Sequence, residues 1–116
     1  MTASDQPTDP EDRKIITLAR AARARTGAAQ GACVRDTDGR TYAATSVHTQ
    51  HLRLSAVAVA VAMAISSGAT GLEALALVGD EPPSGDDRAV AGDLPGSGVM
   101  IWHVDGDGEL RTVTSV

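Results

Sequence analysis

The side chains of this sequence that could form a metal site are three histidines and one cysteine. His48 and His51 form an H-x-x-H pair, to which Cys33 or His103 could add a further ligand for a transition metal. Both histidines of the pair fall in a predicted loop, where a short spacing carries little geometric information. We therefore favour the interpretation that His48 and His51 are exposed loop residues.

Ser46, His48 and Ser55 could instead suggest a serine nucleophile that a histidine activates. The sequence places no acidic residue to orient the histidine, and such a triad is recognised by its geometry. Ser55 stands directly before a long apolar segment, which is where serine favours the N-cap of a helix. The sequence therefore predicts a capping role for Ser55.

Net charge and the distribution of basic residues bear on the partners of this chain. The formal net charge is −5, which argues against non-specific nucleic-acid binding because that binding depends on Lys and Arg. Half of the basic residues lie in one early segment: Arg13, Lys14, Arg20, Arg23 and Arg25. They could form a patch for an anionic partner, or the solvated face of a helix. We favour the solvated face because the rest of the chain is acidic.

Cysteine content and hydropathy predict an intracellular protein. A single cysteine excludes a disulfide within one chain and a zinc site built from cysteines. The longest apolar stretch, from Leu54 to Ile65, is well short of the roughly 20 residues that cross a bilayer. The N-terminus is polar and acidic, unlike a signal peptide. We expect a cytoplasmic protein that binds neither membrane nor nucleic acid.

Capping signals and periodicity predict the first half of the chain. Residues 1–8 are predicted to be a disordered lead-in, and residues 9–116 a single domain. A helix is predicted from Asp9 as its N-cap to Gly27 as its end. Strands are predicted over 30–34 and 40–47, joined by a hairpin turn at 36–39 and followed by a loop over 48–53.

The second half is predicted to contain one central helix and three strands. Residues 54–67 are rich in Ala and Val and apolar on every side, which predicts a helix that is buried on every side. Strands are predicted over 73–78, 99–104 and 109–114. Residues 79–98 lack periodicity and contain prolines, glycines and acids, which favours a flexible loop. The fold class is α/β, with a mixed five-stranded sheet in the order α-β-β-α-β-loop-β-β.

From about Glu11 to Thr114 the chain resembles the cytidine deaminase superfamily, including its blasticidin-S deaminase-like branch. The resemblance rests on the order of several segments: GAC at 31–33, DGR at 38–40, the Ala-rich helix, EALALVGD at 73–80 and VDGDGEL at 104–110. It implies a layered α-β-α sandwich. Because residues 79–98 show no helical pattern, we expect that the third helix of the family is lost.

In that family, a Cys-Ala-Glu or His-Ala-Glu triplet and a Pro-Cys-x-x-Cys motif supply three zinc ligands and a proton carrier. The triplet aligns with residues 55–57, so that Ser55 replaces the first ligand and Val57 replaces the glutamate. The nearest match to the second motif is residues 95–99, without cysteine. The ribose-binding positions correspond to Ser46 and His48, and the aromatic position to Ala28.

The resemblance therefore implies a degenerate member of the family with a vestigial pocket at Ala28, Ser46, His48, Ser55 and Val57. We expect a catalytically inactive protein without a cofactor that has a structural or interaction role. The family commonly forms dimers or tetramers, so we expect a homo-oligomer that could also bind another protein. The alternatives are a module that binds a nucleoside or other small molecule without turnover, and a hydrolase with a rebuilt metal site at His48 and His51.

Overall fold

The computed structural model describes residues 6–116 of the chain. The first five residues of the predicted lead-in lie outside this range. The helices and strands, in chain order, are α1 (Pro10–Thr26), β1 (Gly31–Asp36), β2 (Thr41–Thr45), β3 (Val47–His48), β4 (Arg53–Leu54), α2 (Ala56–Ser66), β5 (Leu72–Val78), α3 (Gly85–Ala91), β6 (Met100–Val104) and β7 (Leu110–Ser115).

A five-stranded sheet in the order β2-β1-β5-β6-β7 forms the middle of the domain. Its neighbouring strands run antiparallel except for β5 and β6, which are parallel and joined through α3. Helix α1 packs on one face of the sheet, and α2 and α3 lie on the other. The predicted α/β class, the mixed five-stranded sheet and the layered arrangement are confirmed.

Helix α1 begins and ends at the predicted residues. The side chain of Asp9 accepts the Glu11 N–H at 2.9 Å, and Gly27 ends the helix with φ +70°. Its buried face contacts β1 closely, because a Cβ at Gly31 would collide with the Ala19 carbonyl oxygen. An ion pair of 3.0 Å between Arg35 of β1 and Asp12 of α1 further connects the two elements. The capping signals were therefore sufficient to place this helix.

Helix α2 is buried on one face, whereas the sequence predicted burial on every side. Val57 and Val61 belong to the core between α2 and the sheet. On the opposite face, Met63 and Ile65 are 40% and 47% exposed. The sheet can cover only one side of a helix, so the apolar outer face is left uncovered in a single chain.

The prediction of a helix-free loop over 79–98, with the third helix lost, is wrong. Residues 85–91 form α3, and Asp87 and Ala91 are its only fully buried residues. A helix of two turns with so small a buried face produces no measurable apolar period. The predicted loop at 48–53 also contains the short antiparallel pair of β3 and β4.

None of the helices in the described part of the chain is long and apolar enough to span a membrane.

Candidate functional site

The N-terminus of α2 lies against the N-terminus of α3, and Ser55 connects them. Ser55 is the N-cap of α2, as predicted, and its Oγ accepts the Ala58 N–H at 3.1 Å. The same hydroxyl donates to Oδ1 of Asp87 at 2.6 Å. Ser55 thus stabilises its own helix and holds the first turn of α3 beside it.

Asp87 belongs to a capping box that starts α3. Its N–H donates to Ser84 Oγ at 3.0 Å, and its Oδ2 accepts the Ser84 N–H at 3.2 Å. Asp87 is only 4% exposed, and each of its carboxylate oxygens accepts one hydrogen bond. Ser55, Ser84 and Asp87 are referred to below as the Ser–Asp cluster.

The Ser–Asp cluster includes a second segment that has the spacing of the second family motif. Residues 83–87 read Pro-Ser-Gly-Asp-Asp, with Ser84 and Asp87 at the spacing of the two cysteines in Pro-Cys-x-x-Cys. They start α3 and contact Ser55, whereas residues 95–99 follow that helix. Residues 83–87 thus also share the spacing of the second family motif and, unlike residues 95–99, lie at the start of a helix beside Ser55. The Ser-x-x-Asp pattern after two prolines is a capping signature that could have identified this helix from the sequence.

The donor set of the Ser–Asp cluster does not fit the zinc site that the resemblance implies. Structural and catalytic zinc is held by thiolate, imidazole or carboxylate. Ser55 and Ser84 offer neutral hydroxyls, and the single carboxylate, Asp87, accepts the Ser55 hydroxyl at 2.6 Å. Within residues 6–116, no three His, Cys, Asp or Glu side chains form a group that could hold a metal ion.

Val57 lies behind the cluster in the apolar core. It is 1% exposed and belongs to the group of buried residues that includes Val34 and Val61. Val57 is also absent from the residues that line the neighbouring cleft. The structure thus brings Ala28, Ser46, His48 and Ser55 of the predicted pocket together but separates Val57 from them.

A cleft of about 540 Å³ opens beside Ser55, between the end of α1 and the β3–β4 pair. Its lining residues are Ala28, Ala29, Gln30, Ser46, Val47, His48, Arg53, Leu54 and Ser55. His51 lies on the turn between β3 and β4 and does not line it. Both histidines are exposed, as the loop interpretation predicted.

Gln30 lines this cleft and connects its sides, a role that the sequence analysis missed. Its backbone N–H donates to Ser46 Oγ at 3.2 Å, and its side-chain oxygen accepts the Ala56 N–H at 3.2 Å. It therefore links β2 to the start of α2. Arg53 was also missed, and its pairing with His48 across β3 and β4 places both residues at the cleft. No local pattern marks Gln30, because its partners Ser46 and Ala56 are distant in sequence, and Arg53 was missed because the β3–β4 pair was predicted to be a loop.

Comparisons with known proteins show which family and which solved structures this chain is similar to. A family profile described as "Cytidine deaminase-like" matches residues 8–108. The chain is similar to the crystal structure of cytidine deaminase from Burkholderia pseudomallei, with 25% identity, a TM-score of 0.77, and coverage of 89% of this chain and 91% of that one. No curated protein sequence matches the chain.

Two mycobacterial structures show the same similarity. Cytidine deaminase from Mycobacterium tuberculosis is 28% identical, with a TM-score of 0.70 and coverage of 89% of this chain and 90% of that chain. Cytidine deaminase from Mycobacterium leprae shares the fold at 22% identity and a TM-score of 0.71, with 92% of this chain and 94% of that chain covered.

Proposed function

Because this chain belongs to the cytidine deaminase-like family, we propose that it keeps the family fold for a structural or interaction role and does not deaminate nucleosides. It acts as a homo-oligomer in the cytoplasm, and this oligomer could also bind a further protein. Because active enzymes share this fold, the fold alone does not decide activity, and the proposal depends on the residues at the site.

The hydrogen bond between Ser55 Oγ and Asp87 Oδ1, at 2.6 Å, is the observation that carries the proposal. Hydrolytic removal of an amine in this family needs a zinc-held hydroxide and a glutamate that carries protons. The Ser–Asp cluster satisfies its own polar groups, and its hydroxyls are poor zinc ligands. The isopropyl group of Val57 cannot carry a proton. The site thus provides neither suitable ligands for the metal nor a side chain that could act as the acid–base group.

The test uses the purified full chain without a metal-binding tag. The protein is incubated with zinc, freed of unbound metal and assayed for metal content and for ammonia released from cytidine. An active cytidine deaminase treated in the same way is the control. We expect substoichiometric zinc and no ammonia above the protein-free rate, whereas stoichiometric zinc with turnover of cytidine would overturn the proposal.

Exposed apolar residues support the homo-oligomer. Leu52 and Leu54, on the β3–β4 pair, and Met63 and Ile65, on the outer face of α2, are the exposed large apolar residues of that region. A second groove, of about 390 Å³, is lined by Leu54 together with Val59 and Met63 of α2. Contiguous exposed apolar surface of this kind is typical of an interface. Its test is given in the Discussion.

The open cleft supports a second candidate, a module that binds a nucleoside or another small molecule without turnover. Its volume of about 540 Å³ lies within the range of small-molecule sites. The Ser46 hydroxyl accepts the Gln30 N–H and can still donate to a ligand. Binding of cytidine, measured by calorimetry and lost on His48→Ala, would favour this candidate, and unchanged binding in His48→Ala and Ser46→Ala would dismiss the cleft.

A hydrolase with a metal site at His48 and His51 is the least supported alternative. Both histidines are exposed, and only His48 lines the cleft. The metal analysis described above also tests this candidate, because His48→Ala and His51→Ala would each lower the metal content.

A further inference from the structure

Two arginines of the basic N-terminal segment line a third cavity, which is separate from the Ser–Asp cluster and is called the arginine pocket below. Arg20 and Arg23 lie one turn apart on α1, and both line a pocket of about 290 Å³ that reaches Gly106 in the β6–β7 turn. This volume is several times the roughly 30 Å³ that one water molecule occupies in the liquid. Two cationic side chains of this acidic protein thus line the same pocket.

Glycines in the β6–β7 turn allow the guanidinium groups to lie close to its backbone. A Cβ at Gly108 would stand 2.9 Å from a terminal nitrogen of Arg20. A Cβ at Gly106 would stand 3.0 Å from Oδ1 of Asp80 and 3.4 Å from both terminal nitrogens of Arg23. Side chains at these two positions would therefore occupy the space in front of the arginines.

Most donors of the two arginines have no acceptor within residues 6–116. In the described part of the chain, the only hydrogen bond from either side chain runs from Arg23 Nε to the Ala29 carbonyl at 3.1 Å. Neither arginine takes part in any of the ion pairs found within residues 6–116. The nearby Asp80 accepts the Gly106 N–H at 3.1 Å and forms no ion pair with them. Arg20 and the terminal nitrogens of Arg23 are therefore available to a ligand.

We propose that this pocket binds the phosphate group of a small ligand. Guanidinium groups are charged at every physiological pH, and their planar donors match the oxygens of phosphate in bidentate pairs. Two of them side by side favour a doubly charged tetrahedral anion over a single carboxylate. The inference goes beyond the proposed function, because it holds whether or not the chain deaminates nucleosides.

The position of Ala28 suggests two sources for the phosphate. Ala28 lines both this pocket and the large cleft at Ser46 and His48, so the two cavities are neighbours. The phosphate could be free inorganic phosphate, or it could belong to a nucleotide whose remaining part occupies the cleft. Both sources share the chemistry that Arg20 and Arg23 recognise.

The test is a titration of the full ¹⁵N-labelled chain with inorganic phosphate at constant ionic strength, followed by NMR. We expect saturable shifts at the amides of Gly106 and Gly108 and at Arg23 Nε. Arg20→Gln should weaken binding about tenfold or more, since it removes a charge-assisted contact.

Arg25→Gln is the matched control. Arg25 is an exposed arginine of the same helix that does not line the pocket, so its loss removes the same charge and should leave affinity nearly unchanged. Preserved spectra would show that each variant is folded. Shifts that fail to saturate at millimolar phosphate, or equal weakening by Arg20→Gln and Arg25→Gln, would overturn the proposal.

The source of the phosphate is separated by comparing inorganic phosphate, cytidine and cytidine 5′-monophosphate in the same titration. Tighter binding of the nucleotide than of phosphate, with shifts at Ser46 and His48, supports a ligand that spans both cavities. Equal affinity, with shifts confined to the arginine pocket, supports free phosphate. Binding of cytidine as tightly as the nucleotide, with no shift at Gly106, contradicts a phosphate site and leaves the cleft candidate standing.

Discussion

At the scale of single residues, the hydroxyl of Ser55 combines two roles. It accepts the Ala58 N–H at 3.1 Å and donates to Asp87 at 2.6 Å. A hydroxyl is both donor and acceptor, so it can cap one helix and hold the capping carboxylate of another. The hydrogen bonds of this one side chain thus connect the N-terminus of α2 to that of α3.

Replacing Ser55 by alanine should therefore destabilise the domain. Ser55→Ala removes the N-cap of α2 and leaves the buried Asp87 carboxylate without one donor. We expect the free energy of unfolding to fall by about 1–3 kcal/mol, measured by urea denaturation. Ser66→Ala, an exposed position at the other end of α2, is the control and should change it by less than about 0.5 kcal/mol. Equal effects of both substitutions would refute the capping role.

The Ser–Asp cluster also predicts how zinc binding could be introduced. A triple variant with Ser55→Cys, Ser84→Cys and Asp87→Cys would bring three thiolates to the junction of α2 and α3. We expect about one zinc per chain by metal analysis, and no deamination while Val57 is retained. The double variant with Ser55 unchanged should bind zinc more weakly. Failure of the triple variant to bind zinc, in a folded protein, would show that the three positions do not converge.

Cys33 provides a prediction about reactivity. It is fully buried under α1, and this burial raises the pKa of its thiol to about 11. Because only the thiolate attacks thiol reagents, the native protein should react very slowly at pH 8 and fast after unfolding in urea. Rapid stoichiometric labelling of the native chain would contradict this environment.

At the scale of elements, the turn between β6 and β7 is organised by the side chain of Asp105. One carboxylate oxygen accepts the N–H groups of Asp107 and Glu109 at 2.9 and 3.0 Å, and the other accepts Arg111 Nε at 2.8 Å. The Glu109 N–H, with the N–H of Asp107 and the Arg111 charge, holds the pKa of Asp105 below its ordinary value. The turn that borders the arginine pocket is therefore built around one ionised side chain.

This arrangement predicts an acid dependence of stability. A carboxylate with a lowered pKa in the folded state stabilises that state above its unfolded pKa, and the contribution disappears as the pH falls through the folded value. Asp105→Asn should therefore be less stable than the parent chain at pH 7, and the difference should shrink below about pH 4. The exposed Asp107→Asn is the control, measured by the same urea titrations. A difference that is constant from pH 7 to pH 3 would contradict this role.

At the scale of the whole molecule, one sheet with helices on both faces leaves the outer side of α2 uncovered. The helix has no charged residue, and Met63 and Ile65 are exposed on it. Burial of such a surface gains about 25 cal/mol per Å² of apolar area, which favours association of two copies through α2. The exposed apolar face of this helix is therefore the surface on which the proposed homo-oligomer can be tested.

Ile65→Glu should weaken this self-association. The substitution places a charge on the exposed apolar face of α2, so we expect the dissociation constant of the oligomer to rise by tenfold or more, measured by analytical ultracentrifugation. Val113→Glu, on β7, changes a residue of comparable exposure outside α2 and is the control. A parent chain that is monomeric at micromolar concentration would contradict the interface itself.

Local patterns in the sequence determined those features that depend on neighbouring residues. Asp9, Pro10 and Gly27 specify both ends of α1, and Ser55 specifies the start of α2, because a cap acts within one turn of its own helix. Short apolar segments specified the five strands of the main sheet to within a few positions, whereas the β3–β4 pair was missed. The order of these segments was sufficient to predict the α/β sandwich and the resemblance that the comparisons confirm.

The tertiary structure decided the contacts between residues distant in the chain. Ser55 and Asp87 are 32 positions apart, and α3 is too short and too little buried to show a period. The side of the Ala- and Val-rich helix that is buried depends on where the sheet lies, because its composition is the same on every side. Arg20 and Gly108 meet only because α1 packs across the sheet beside the β6–β7 hairpin. Hydrogen bonds and packing across such separations exist only after the chain has folded.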